Sequence, residues 1–288
     1  KLLLILNRYE DALSQVNQVM LEQPNRFDGL RLMAIINFHL NRLDVARTDF
    51  EELLASGFSQ MDAFYYLAQI AERQHRWKDA VNLYSEVRRG PNAIVSQSQL
   101  IRILVNNGMI KEALDYLDIF AQNNPIFSIE ILNLKALLTT HLGNFSEALS
   151  IYEKLVYFRP QEESFYLSQG EIFIKMGDID EAISHYEGAV KNWPNSAMSL
   201  NALGYTLANF SNDYKRAERL ILKAREIDPN SIAILDSWGW VLYRLGKSNE
   251  ALVYLREANQ RLKDPEIIAH LIEVLWVLDK SSEMLALI

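Results

Sequence analysis

The residues best suited to bond chemistry are five histidines, His39, His75, His141, His185 and His270, in a chain that has no cysteine. Imidazole serves as general base and as metal ligand. A helical metal pair needs the spacing His-x3-His or His-Glu-x2-His, and no two of these histidines lie that close. The absence of cysteine removes disulfides, thiolate zinc sites and cysteine nucleophiles together. Carboxylate neighbours Glu51-Glu52 and Glu162-Glu163 fall near predicted helix ends. Solvation or compensation of the helix dipole accounts for them there. The 11 glycines form no phosphate-binding loop. No cofactor and no metal is expected, and no catalytic residue is assigned.

What those residues sit on is a repeated unit. From Glu163 to Pro194, apolar residues recur at helical spacing at Phe165, Tyr166, Phe173, Ile174 and Met176. Gly177-Asp178 interrupts the pattern, and Ala182, Ile183, Tyr186, Ala189 and Val190 resume it before Pro194 stops it. The stretch reads as a helix, a tight turn, a second helix and a proline stop. Gly170 and Ala182 are expected to face each other, so that the two backbones approach closely. One hairpin cannot bury its own apolar faces and needs neighbours.

The neighbours recur in register. The small residue opening the second helix returns as Ala12, Ala46, Ala80, Ala113, Ala148, Ala182, Ala217 and Ala251, at intervals of about 34 residues. Seven prolines, Pro24, Pro91, Pro125, Pro160, Pro194, Pro229 and Pro265, fall between units and outside predicted helices. Two independent columns in phase over this length mark a stacked solenoid.

The chain resembles the tetratricopeptide repeat (TPR) family. The residues that carry the likeness include Tyr166, Gly170, Phe173, Ala182, Tyr186, Ala189 and Pro194, then Leu200, Leu203, Gly204, Leu207, Ala217, Ala224 and Pro229, and then Leu235, Trp238, Gly239, Leu242, Ala251 and Ala258. Gln169, Lys135 and Ile101 depart from the pattern within their units. The resemblance implies an all-α fold, a right-handed TPR superhelix (α-solenoid) of about eight helix-turn-helix repeats plus a terminal partial repeat. One domain over residues 1–288 is expected. Its repeats fall near 1–24, 27–58, 61–91, 94–125, 128–160, 163–194, 197–229 and 231–263, with a partial repeat at 265–288. The loop at Phe210–Asp213 is the largest irregularity. Both ends fall within helices, Lys1 in a first helix and Ser281–Ile288 in a second, so a fragment of a longer chain is expected.

By the same resemblance, the first helices line a concave face through the second, fifth, ninth, twelfth and thirteenth places of each unit. In units five to eight these places hold Asn133, Leu137, His141, Glu171, Asn201, Tyr205, Asn209, Asp236, Trp240, Tyr243 and Arg244. Asn133, Asn201 and Asp236 share the fifth place and are suited to hydrogen-bond the backbone of an extended peptide. Tyr205, Trp240 and Tyr243 add the ring types enriched at binding hot spots. A peptide groove centred on these units is one reading. The other is that the rings fill the interior or touch a neighbouring helix. The clamp that grips chaperone tails needs Asn at the ninth place and Lys or Arg at the fifth, and it is absent.

A net charge of −8 argues against a nucleic-acid partner, which needs clustered cations. No apolar run approaches the 18 residues of a membrane span. The stretch Asn201–Trp276 also resembles the C-terminal repeats of proteobacterial TPR lipoproteins that serve as adaptors for a carboxyl-terminal processing protease. This implies a non-catalytic scaffold that holds a protein or peptide partner, such as that protease or its substrates. It further implies a periplasmic site, with outer-membrane tethering by a lipid on a residue outside this chain. The alternatives are a cytoplasmic location, a scaffold for secretion, pilus or polysaccharide export, or the accessory region of an enzyme.

Overall fold

Each predicted hairpin becomes a pair of antiparallel helices about 14 residues long, set by the alternation of apolar stripe and breaker. The computed structural model describes residues 2–23 and 26–287. Lys1, Pro24 and Ile288, which enter the chain-end and proline readings, lie outside that set. The described residues form 18 α-helices, one 3₁₀ turn at Pro125–Phe127 and no strand.

The chain divides into two compact units, residues 1–135 and 136–288. In the first are α1 (Leu2–Ile5), α2 (Tyr9–Glu22), α3 (Phe27–His39), α4 (Leu43–Ser56), α5 (Gln60–Arg73), α6 (Trp77–Ser85), α7 (Ala93–Asn106) and α8 (Ile110–Asn123). The division falls inside α9 (Ser128–His141). The second unit continues with α10 (Phe145–Phe158), α11 (Glu163–Met176), α12 (Ile179–Asn192), α13 (Ala197–Phe210) and α14 (Tyr214–Ile227). It ends with α15 (Ile232–Arg244), α16 (Ser248–Arg261), α17 (Pro265–Val277) and α18 (Ser281–Leu285).

The alanine column is the core. Ala12 is nearly enclosed, and the seven that follow, Ala46 through Ala251, are fully buried. In the first unit they pack with Phe38, Phe50, Leu53 and Ile70, and Tyr66 stacks on Phe50 at 4.9 Å. In the second unit they pack with Leu203, Leu207, Ile221, Trp238, Leu255 and Val274. Fully burying one such aliphatic side chain contributes about 2 kcal/mol.

Close helix approach has a different partner from the one expected at Gly170. A Cβ there would stand 2.3 Å from the Tyr186 ring, so the glycine makes room for that aromatic rather than for Ala182. Gly239 likewise makes room for a side chain: a Cβ would stand 2.7 Å from Leu255, with the Ala251 carbonyl next at 3.3 Å. Pro265 is also placed differently, as the first residue of α17. Proline is tolerated there because that N–H has no intrahelical acceptor. Helix α6 is shorter than the predicted run to Arg89, stopping at Ser85. The buried Gln97 donates to the Val87 carbonyl at 3.0 Å and so satisfies a group the lost turn leaves behind.

Three first helices of the second unit, α13, α15 and α17, are held by side-chain caps. Ser196 accepts from Ser199 N at 3.3 Å before α13, and Ser231 from Ile234 N at 3.4 Å before α15. Asp264 accepts from Glu266 N at 2.8 Å before α17. Helix α13 packs on α15, and α15 on α17. Their shared inner faces form the wall described next.

Candidate functional site

A concavity of about 690 Å³ runs along the first helices of the second unit. Leu167, Glu171, Ile174 and Lys175 come from α11, and Met198, Asn201, Ala202, Tyr205 and Thr206 from α13. Ala233, Asp236 and Ser237 come from α15, and Asp264, Glu266 and Ile267 from the start of α17. The helical repeat puts residues three and four apart on one face, which is why α11 and α13 each contribute such a series.

Four of the sequence-predicted site residues meet here: Glu171, Asn201, Tyr205 and Asp236. The Asn201 amide oxygen Oδ1 is shut off from solvent and has no hydrogen-bond partner. Glu171 lies at the surface of the hollow, and its carboxyl pKa is raised. Desolvation by the surrounding wall is the main cause; the charge of Glu266 adds to it and that of Lys175 opposes it. The Tyr205 hydroxyl donates to Glu266 Oε1 at 2.5 Å. Burial pushes the Tyr205 phenol well above its ordinary range, reinforced by that hydrogen bond and by the charges of Glu266 and Asp236.

The other predicted residues lie elsewhere. Leu137 and His141 border a smaller hollow of about 470 Å³ with Thr140, Gly143, Phe145 and Lys175. Asn133 is half-buried on the part of α9 that belongs to the first unit. Asn209 is half-buried near the end of α13 and does not line the concavity.

Trp240 differs most from its expected role. It is only 4% exposed, and its ring stacks on His270 of α17 with centroids 4.2 Å apart. The second of the two sequence readings, a ring against a neighbouring helix, therefore describes it. Tyr243 donates to Glu273 Oε1 at 3.1 Å. Arg244 donates to the Tyr214 hydroxyl at 2.8 Å, with its guanidinium 5.0 Å from that ring. All three are engaged by neighbouring helices. Asp236 is buried too: it accepts from His270 Nδ1, at 2.9 Å to Oδ2. His270 Nε2 lies 3.3 Å from the Tyr205 hydroxyl.

Sequence reasoning missed the contribution of α17, namely Glu266, Ile267 and His270. A signal was present, because His270 follows Asp236 by 34 residues. It occupies the fifth place of the partial repeat, which the groove register was not carried into. No cluster of histidine, aspartate and glutamate among the described residues could hold a metal ion, and no helix among them is long and apolar enough to cross a membrane.

Comparisons with known proteins agree with this architecture. Residues 33–94 and 167–232 match the family model described as tetratricopeptide repeat. The chain is 32% identical over 209 residues to TPR repeat-containing protein PA4667 of Pseudomonas aeruginosa, covering 73% of this chain and 35% of that one. It is 28% identical over 161 residues to mitochondrial import receptor subunit TOM70 of Saccharomyces cerevisiae, covering 53% of this chain and 26% of that one. The chain thus spans about a third or less of the length of these relatives. Among solved structures, a tetratricopeptide repeat protein from Parabacteroides merdae superposes with a TM-score of 0.54 at 16% identity, over 82% of this chain and 89% of that one. TTC0263, a thermophilic TPR protein of Thermus thermophilus, gives 0.51 at 20% identity, over 64% and 100%. Both likenesses are of fold alone.

Proposed function

Because the chain belongs to the tetratricopeptide-repeat family, whose members are protein-interaction scaffolds, we propose that it is a non-catalytic adaptor that holds an extended segment of a protein partner in the concavity of its second unit. The observation that carries this reading is the hollow of about 690 Å³, lined from four successive first helices, with Glu171, Asn201, Tyr205 and Glu266 beside apolar Leu167 and Ile174. The hollow is long enough in helices, four first helices deep, to follow an extended chain rather than a small molecule.

A finer reading extends this one. The partner is a carboxyl-terminal processing protease or one of its substrates, met at the periplasmic face of the outer membrane, with tethering by a lipid outside residues 1–288. Its supports are the resemblance of Asn201–Trp276 to lipoprotein adaptors and the likeness to a Pseudomonas TPR protein. The receptor role printed in the name of TOM70 favours protein capture in general.

The test is a pair of variants with opposite physics. Asn201→Ala removes a polar lining side chain, and Ala233→Trp fills the hollow from an exposed position at the start of α15. Photo-crosslinking from position 198, an exposed lining position on α13, in cell-envelope extract identifies what lies in the hollow. Both variants are expected to lose the crosslinked partner while keeping their helical circular dichroism. A partner retained by both would rule the concavity out as the binding face.

A further inference from the structure

The polar groups of this wall are unbalanced in a way that defines the occupant. Glu171 and Glu266 line the hollow with carboxylates. Two donors of the wall are already engaged: the Tyr205 hydroxyl donates to Glu266, and the Thr206 hydroxyl donates to the Ala202 carbonyl at 2.8 Å. Among the described residues of the lining, Lys175 is the single cationic side chain. It is one cation against the two carboxylates of Glu171 and Glu266. A hollow rich in acceptors calls for a ligand rich in donors. Between the charged groups the wall is apolar, with Leu167, Ile174 and Ile267, which suits the methylene stem of a long cationic side chain.

Resting on the peptide-groove reading, we propose that the concavity selects a partner segment bearing Lys or Arg, whose cationic head sits between Glu171 and Glu266 while its methylene stem lies along Leu167 and Ile174. An acidic segment, such as a chaperone-type carboxylate tail, meets like charge here and is disfavoured.

The probe is a set of fluorescein-labelled, otherwise randomised twelve-residue peptide pools, each with one central position fixed as Lys, Arg, Gln or Glu. Binding to the 288-residue chain is read by fluorescence anisotropy. The Lys and Arg pools should bind about tenfold more tightly than the Gln pool, with the Glu pool weakest. Raising salt from about 0.05 to 0.5 M should narrow that gap. Glu171→Gln together with Glu266→Gln should erase the preference and leave Gln-pool binding in place. Glu171→Gln alone, at a surface position, gives a partial loss and guards against a misfolded double variant. If all pools bind equally and Ala233→Trp weakens them alike, the charge selection is wrong and the groove reading stands. If no pool binds, or Ala233→Trp changes nothing, both fail.

Discussion

The two units use the same brick for opposite ends. In the first unit the polar residues of the first helices are spent on joining one repeat to the next. Arg31 pairs with Asp62 at 2.6 Å, Arg102 pairs with Glu72, and Glu72 also accepts from the Tyr84 hydroxyl at 2.9 Å. Arg73 lies 4.1 Å over the Phe38 ring. In the second unit the corresponding wall leaves two carboxylates facing one lysine and an amide oxygen without a partner. Its cross-repeat bonds run between Asp236, His270 and Trp240 in the buried layer, and from Tyr205 to Glu266 and Tyr243 to Glu273 at the surface. A repeat fixes the backbone through its alanine and glycine columns, and its inward positions remain free either to bridge neighbours or to await a partner. Charge pairing across repeats tells the two cases apart.

The contrast breaks most readily at Trp240. If it belongs to the deep layer, Trp240→Ala should lower the stability of the second unit by about 3–5 kcal/mol, seen as a lower urea midpoint. Peptide affinity of the folded fraction should be unchanged. A variant of normal stability that has lost peptide binding would return Trp240 to the wall. Asp236→Ala is the next largest effect. It strips the Nδ1 partner from a buried histidine and should cost about 2 kcal/mol, again by urea unfolding. A negligible change would mean the Asp236–His270 contact holds nothing together.

The sequence made the brick legible because its markers are local and periodic. Ala182 and Ala217 had to be small, Gly177 had to take a left-handed turn at φ 85°, and both can be read without knowing any neighbour. The wall was only half legible. Glu171, Asn201 and Tyr205 followed from their place in the repeat. Trp240, Tyr243 and Arg244 occupied equally good places, but α17 takes them up through His270 and Glu273, and Tyr214 holds Arg244. Position in a repeat states which way a side chain points. It does not state whether the next helix carries something to meet it. The same reason hid Gln97, whose role depends on a helix that stops four residues before its pattern does.

Smaller effects sharpen the comparison from the other side. Arg102→Ala removes a partly exposed ion pair in the first unit, a class worth about 0.2–1 kcal/mol. Chemical denaturation in a double-mutant cycle with Glu72→Gln should show coupling of that size, with peptide binding unaltered. A loss of peptide binding would place a working surface on the first unit as well.

The least effect is expected at Glu171, and its sign is the informative part. The folded carboxyl titrates above its ordinary value of 4.5 because the wall desolvates it. Below the ordinary value both folded and unfolded chains hold the proton, and the group contributes nothing to stability. As pH rises through the window between the unfolded and the folded value, the unfolded chain releases its proton first, so folding loses stability. Above the raised value the full penalty persists. Glu171→Gln carries no such titration. The difference in melting temperature between variant and parent should therefore be close to nil near pH 3 and should favour the variant at neutral pH, by a small amount because the group meets solvent. All other ionisable groups are common to both proteins and cancel in the difference. A difference that favours the parent at neutral pH would mean that Lys175 outweighs the wall. The concavity would then be balanced in charge, like the bridged repeats of the first unit.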